Sequence, residues 1–126
     1  MVLVDTSVWV NHLRRGDDAL AQTLLAGEVA CHPFVIGELA CGSIANRRGF
    51  LSLLSALPAL AKLQNAEVLT FIDHHRLMGK GLGLIDVHLL ASCMLARATL
   101  WTGDGRLAGA AAHLGCAHVP GAARGD

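Results

Sequence analysis

The apolar positions of this chain fall into short blocks whose period changes along the sequence. Val2-Leu3-Val4 is a compact run suited to a buried strand, and Asp5-Thr6-Ser7 after it is rich in helix-capping side chains. Val8 to about Leu13 predicts a first helix. Gly16-Asp17-Asp18 breaks the chain, Ala19 to Ala26 predicts a second helix closed by Gly27, and Val29-Ala30-Cys31 predicts a second strand. Pro33 suits the first turn of a helix running through Glu38 to about Ile44. Arg47 to Leu57 predicts another, stopped near Pro58. Glu67-Val68-Leu69-Thr70 predicts a third strand and Ile72 to Lys80 a helix.

Gly79, Gly81 and Gly83 then make a flexible approach to Leu84-Ile85-Asp86. Val87 to Ala98 is so continuously apolar that its helix should be the most buried. Thr99-Leu100-Trp101-Thr102 predicts a fourth strand, Gly103-Asp104-Gly105 a turn, and Arg106 to Leu114 a final helix. Ala117-His118-Val119 predicts an edge strand, and Gly121 to Asp126 a frayed tail. Strands alternating with helices imply right-handed crossovers and helices on both faces of a sheet. The expected fold is therefore a three-layer α/β/α domain with a mainly parallel central sheet. With no repeat, linker or low-complexity tract, residues 1–126 are expected to form one domain.

Composition narrows the function classes. Of the 126 residues 53% are hydrophobic and 16% charged, which excludes a disordered chain. A domain of this length buries about two thirds of its surface, enough for a core without disulfide or metal staples. The surplus of apolar residues predicts a self-dimer or another partner. No apolar run reaches about 18 residues, so no membrane span is expected. The opening Met-Val-Leu-Val-Asp lacks a basic n-region, so no signal peptide is expected either. Cys31, Cys41, Cys93 and Cys116 lack C-x-x-C spacing and sit among small apolar residues. They are expected to be free core thiols in a reducing cytoplasm. Ten basic and ten acidic residues cancel, which is not the strongly basic balance usual for nucleic-acid binding. The pairs Arg14–Arg15 and Arg47–Arg48 remain available for phosphate or protein contact.

The placement of the acids carries the chemistry. Asp5 follows the first strand and Asp104 follows the strand ending at Thr102; in a parallel sheet those carboxyl ends share one edge, where ligands bind. Asp86 opens the most apolar helix, at a terminus expected on the same edge. Glu38 interrupts an apolar helix, with Phe34, Val35, Cys41 and Gly42 three or four positions away. Buried carboxylates are expensive unless paired. Each aspartate alone could be an N-cap, and Glu38 alone could lie on a solvated stripe. Together they point to a carboxylate pocket, whose mutual repulsion a hard divalent cation such as Mg²⁺ or Mn²⁺ relieves. Such ions bind a scissile phosphate and activate water for in-line displacement. Thr6, Ser7 and Thr102 are placed to hydrogen-bond the carboxylates.

Four segments resemble one family in order. Val4 to Trp9 (Val-Asp-Thr-Ser-Val-Trp) resembles the opening of a PIN domain, and Glu38-Leu39-Ala40 its helical glutamate. Leu84 to Ala91 resembles its third acidic motif, and Leu100-Trp101-Thr102-Gly103-Asp104 its fourth. The chain is most similar to the VapC toxins of that family. The resemblance implies an endoribonuclease using Mg²⁺ or Mn²⁺, leaving 5′-phosphate and 3′-hydroxyl ends. It implies Asp5, Glu38, Asp86 and Asp104 as catalytic residues, with Asp5, Asp86 and Asp104 as metal ligands. It also implies a homodimer and a VapB-type antitoxin that inserts a segment into the active-site groove. Gly103 and Gly105 stand where many relatives carry basic residues, a departure that bears on RNA contact beside Asp104.

The remaining signals are weaker. His74 and His75 cannot share one helical face, and no zinc spacing occurs, so the histidines are expected at the surface or at helix ends. His88, two residues after Asp86, should point away from it. Trp9 and Trp101 are expected to pack in the core or an interface, and Gly79 to Gly83 to serve as a connector. Two rivals remain: an aspartyl-phosphate domain with Asp5 as nucleophile, and a non-catalytic binding module.

Overall fold

The computed structural model describes residues 1–120; the expected tail at 121–126 lies outside the described residues. The element order is β1 (Val2–Val4), α1 (Thr6–Arg15), α2 (Asp18–Leu25), β2 (Val29–Ala30), α3 (Pro33–Ala40) and α4 (Arg47–Ala56). Then follow α5 (Asn65–His75), α6 (Leu84–Ala96), β3 (Thr99–Trp101) and α7 (Gly105–Leu114). The three strands form one parallel sheet in the order β2-β1-β3. The crossovers from β1 to β2 and from β2 to β3 run in opposite directions, so right-handed connections put helices on both faces.

The central strand is buried along its length, as its run of three apolar residues requires: Leu3 and Val4 are wholly buried and Val2 nearly so. Helix α6 packs against β3 and α5, with every residue from Val87 to Cys93 buried, matching its continuous apolar sequence. Leu89 and Leu90 have no exposed surface, and truncating either to Ala should cost about 2–5 kcal/mol. Trp9 and Trp101 are both buried, Trp9 edge-on to Phe50 and Trp101 against His118.

Several expectations are corrected. Glu67–Thr70 is not a strand but the middle of α5. Glu67 accepts a hydrogen bond from the Gln64 backbone N–H at 2.9 Å, fixing the helix start. Val68, Phe71 and Ile72 then face the core at helical spacing, so tertiary packing overrides the β propensity of Val-Leu-Thr. The helix stops at Arg76 in the left-handed conformation, short of Lys80. Helix α3 ends at Ala40 rather than near Ile44, and α6 begins at Leu84, so Asp86 lies within its first turn. The expected edge strand at Ala117 is reduced to a single bridge, with Leu100 N–H bonded to Cys116 O and His118 N–H to Leu100 O. A matching bridge on the opposite edge joins Cys31 to Ala59. Cys31, Cys93 and Cys116 are buried free thiols, but Cys41 is exposed, because α3 ends just before it.

Candidate active site

Parallel pairing brings the carboxyl ends of β1 and β3 side by side, and the Asp5 backbone N–H bonds Trp101 O at 2.9 Å. Asp5 is the most buried of the four acids and the most constrained. Its Oδ1 accepts from the Thr6 backbone N–H at 2.8 Å, capping α1. Its Oδ2 accepts from the hydroxyls of Thr102 at 2.7 Å and Ser7 at 3.0 Å. Both hydroxyls also receive backbone donors: Asp104 N–H donates to Thr102 Oγ1, and Gly103 N–H to Ser7 Oγ, each at 3.0 Å. Thr6 completes the chain by donating its hydroxyl to Glu38 Oε1 at 2.7 Å. Thus Asp5 is tied to Glu38 through Thr6 and to Asp104 through Thr102. All three expected supporting hydroxyls occupy these positions.

Asp104 caps α7, its Oδ1 accepting from Arg106 N–H at 2.9 Å and Leu107 N–H at 3.1 Å. Asp86, at the third position of α6, uses Oδ2 to accept the Gly83 N–H at 2.9 Å. Capping therefore occupies only one oxygen of each: Asp86 Oδ1 and Asp104 Oδ2 accept no hydrogen bond among the described residues. A helix-capping role and a ligand role thus coexist in the same side chain. Partial burial raises the Asp86 pKa above the carboxylate norm, opposed by the Gly83 N–H and reinforced by the charges of Asp5 and Asp104. Asp86 therefore lies within electrostatic reach of both Asp5 and Asp104.

Glu38 differs from expectation in being exposed. Its hydrogen bond from Thr6, rather than a burial cost, is what ties it to the site. Beside it a groove of about 310 Å³ is lined by Thr6, Val10, Leu13, Arg14, Glu38 and Ile44. Of the four expected arginines, Arg14 lies in this groove, whereas Arg47 donates through Nε and Nη2 to Ala40 O and finishes α3. Arg15 and Arg48 stand exposed in the last turn of α1 and the first turn of α4.

The donor set is all carboxylate oxygen, which suits Mg²⁺ or Mn²⁺ and not zinc or copper. Among the described residues no three His, Cys, Asp or Glu side chains form a closed metal-ligand group. Mg²⁺ does not require a closed group, since it keeps several waters in its coordination shell.

Two buried histidines escaped the sequence reading. His32 has no exposed surface; its Nδ1 accepts the Phe34 N–H at 3.0 Å, capping α3. Its Nε2 then carries the proton and donates to Ser92 Oγ at 3.0 Å, and Ser92 donates to Ala61 O at 2.7 Å. Burial, with the charges of His88 and Lys62, pushes the His32 pKa down to about 4. The signal was the position before Pro33, where a strand hands over to a helix and a cap is required. His88 is also buried, edge-on to the Phe34 ring at 4.7 Å, so the two side chains brace the helices that carry Glu38 and Asp86.

Residues 2–112 match the PIN domain family. The chain is 47% identical over 118 residues to Ribonuclease VapC32 of two Mycobacterium tuberculosis strains, covering 93% of this chain and 95% of each relative. The crystal structure of PAE2754 from Pyrobaculum aerophilum shares the fold, with a TM-score of 0.62 over 86% of this chain and 83% of that one, at 18% identity. With the family's pattern running from the first strand into the last helix, and near half of all positions shared with these relatives, this chain belongs to the PIN domain family.

Proposed function

We propose that this protein is a Mg²⁺- or Mn²⁺-dependent endoribonuclease acting as the toxin of a VapBC-type toxin–antitoxin module. The observation that carries this reading is the division of labour within the aspartates. Each spends one oxygen on its own helix start, while Asp86 and Asp104 keep the other for a ligand. The ribonuclease naming of the M. tuberculosis relatives supports the same substrate class.

Asp5, Asp86 and Asp104 would hold the ion, with Glu38 completing the pocket. When bound, the cation supplies Lewis-acid polarisation of a phosphoryl oxygen and favours loss of a proton from water. The protein's own part is orientation. Thr6, Ser7 and Thr102 fix Asp5 and Glu38 by hydroxyl donation, so these carboxylates need little reorganisation when RNA arrives. Asp5 as a phosphate acceptor fits less well, because that reading leaves Glu38, bonded to Thr6 beside it, without a part.

The groove beside Glu38, apolar along Val10, Leu13 and Ile44 and basic at Arg14, is where a VapB-type segment would insert. Exposed Leu25, Leu53 and Leu95 leave apolar surface for a homodimer. Among the described residues no helix is long and apolar enough to cross a membrane. The free thiols fit a reducing, cytoplasmic setting, and we take residues 1–126 as one nuclease domain.

The direct test is RNA cleavage by purified, antitoxin-free protein in Mg²⁺ or Mn²⁺ against EDTA, beside Asp86→Asn. Cleavage should require both the metal and Asp86. Intact RNA across several structured substrates would return weight to a binding module.

A further inference from the structure

We infer that the trough between α7 and segment 77–80 is a subsite for one phosphate of the substrate RNA other than the phosphate that is cut. The inference rests on the ribonuclease reading and extends it to how the strand leaves the site. The trough is a cavity of about 290 Å³ lined by Leu77, Lys80, Arg106, Gly109, Ala110 and His113. A space of that size takes a sugar-phosphate unit.

Its floor is one face of a helix. Arg106, Gly109, Ala110 and His113 stand at positions i, i+3, i+4 and i+7 of α7, and the two small residues in the middle leave the room. A Cβ added at Gly109 meets nothing within 4 Å, so the middle of the floor is open. The far wall comes from the connector after α5. Gly79 and Gly81 have φ angles of 71° and 75°, and the turns they allow fold the chain sharply on each side of Lys80. Gly81 also receives Arg106. A Cβ there would lie 2.8 Å from Nη1 and 3.0 Å from Cδ, so only glycine lets the arginine rest against the connector.

The charge in the trough is unanswered. No carboxylate lines it, and neither the Lys80 nor the Arg106 side chain has a hydrogen-bond or ion-pair partner among the described residues. Charge of the same sign continues beyond it: after burial, His74 and then His113 push the His75 pKa down. In a chain whose ten basic and ten acidic residues cancel, this is a local excess of positive charge. A guanidinium and an ammonium sharing one cavity suit the oxygens of a phosphodiester.

Two hydrogen bonds fix where this charge stands relative to the acids. The Arg106 N–H donates to Asp104 Oδ1 at 2.9 Å, and Gly83, two residues beyond Gly81, donates to Asp86 Oδ2 at 2.9 Å. The Arg106 side chain therefore spans from the Asp104 turn to the connector that holds Asp86. From there α7 carries the trough away from the carboxylates, roughly 10 Å to His113 at about 1.5 Å per residue. Helix side chains lean toward the N-terminus, so Arg106 and His113 lean toward the acids. A strand with its scissile phosphate at the carboxylates reaches the trough with a neighbouring phosphate. An acidic peptide would answer the charge equally, but the trough opens from the catalytic edge, which a substrate must occupy and a peptide need not.

Gly109 gives a test that removes nothing. Gly109→Glu, Gly109→Lys and Gly109→Gln set a negative, a positive and a neutral side chain in open space on the trough floor. Each should hold or raise the melting temperature, since glycine is a poor helix former. Binding of a short fluorescein-labelled RNA is measured by anisotropy, with Ca²⁺ replacing Mg²⁺. Relative to Gly109→Gln, Gly109→Glu should weaken binding about 5- to 20-fold and Gly109→Lys should tighten it about 2- to 5-fold. Arg106→Gln and Lys80→Gln should each weaken it and make the dependence of log Kd on log salt shallower by about 0.7. A methylphosphonate placed at each position in turn should weaken wild-type binding at an uncut phosphate, and that loss should vanish in Arg106→Gln. Equal affinities of the three Gly109 variants, or a methylphosphonate pattern unchanged in Arg106→Gln, would assign the trough to another anion such as an acidic peptide. Either result overturns the subsite even if the protein cleaves RNA. A wild-type protein that binds with the expected charge dependence but cuts nothing in Mg²⁺ or Mn²⁺ would sink the nuclease reading and leave the subsite standing.

Discussion

The two halves of the carboxylate site are built differently. On the strand side, Asp5 accepts three hydrogen bonds and Thr102 links it to the Asp104 backbone, all within residues that β1 and β3 deliver at one edge. On the helix side, Asp86 accepts one backbone N–H and Glu38 one hydroxyl. The strand half is fixed by parallel pairing, with Asp5 buried and Asp104 exposed at its rim. The helix half depends on how α3 and α6 are held, through the Phe34–His88 contact and the His32–Ser92–Ala61 chain. On the proposed reading, a site so divided would give the ion a rigid anchor and leave more adjustable carboxylates on the helix side.

Breaking the anchor should have the largest effect. Asp5→Asn replaces a charged acceptor with a neutral amide beneath two hydroxyls, and cleavage should fall by about 10³-fold or more in a steady-state assay. Activity within tenfold of wild type would show that the strand side is not the anchor.

The scaffold of the helix half should be acid-sensitive. His32 titrates normally near 6.5 when unfolded but only near 4 when folded, so the unfolded chain binds more protons between those values. Stability is therefore full above about pH 6.5 and is lost as pH falls toward 4, by about 3 kcal/mol at most. Denaturant midpoints across that window should show the slope, and His32→Asn, which keeps a helix cap, should flatten it. Equal slopes in the two proteins would assign the acid sensitivity elsewhere.

Thr102→Val tests the link within the anchor. It removes the donor to Asp5 and the acceptor for the Asp104 N–H, and should cost about 10- to 100-fold in activity or metal affinity. The matching change on the helix side, Thr6→Val, should cost less, since Glu38 is exposed. The reverse ranking would invert the comparison.

The smallest effect concerns metal-free stability. The Asp86 pKa is raised on folding, so its charged form is penalised and stability is lost as pH rises through the carboxylate range. Asp86→Asn should melt at the same temperature or up to about 2 °C higher without metal, the gain being limited by solvent screening. Millimolar Mg²⁺ or Mn²⁺ should raise the melting temperature of the wild type more than that of the variant. A lower melting point in metal-free Asp86→Asn would mean that its bond to Gly83 outweighs the repulsion.

The first and last strands, the long buried helix and the helix-start positions of the three aspartates were legible in the sequence because each depends on local signals. An apolar triplet before Asp-Thr-Ser, or a Thr-Gly-Asp turn after a strand, states its own geometry. Val68-Leu69-Thr70 shows the limit: its β-branched residues favour a strand locally, but the Gln64–Glu67 cap and the core contacts of Val68, Phe71 and Ile72 make it helix. Other features depended on residues distant in the chain, such as the Thr6–Glu38 bond across 32 positions and the Thr102–Asp5 bond across 97. The sequence by itself determined which chemical groups exist and which helix or strand end each occupies, since capping and burial periodicity act over a few residues. Only the tertiary structure decided which oxygen of each acid is spent on its helix and which histidines are buried. Those outcomes follow from strand pairing and helix packing, which bring together side chains that no local pattern connects.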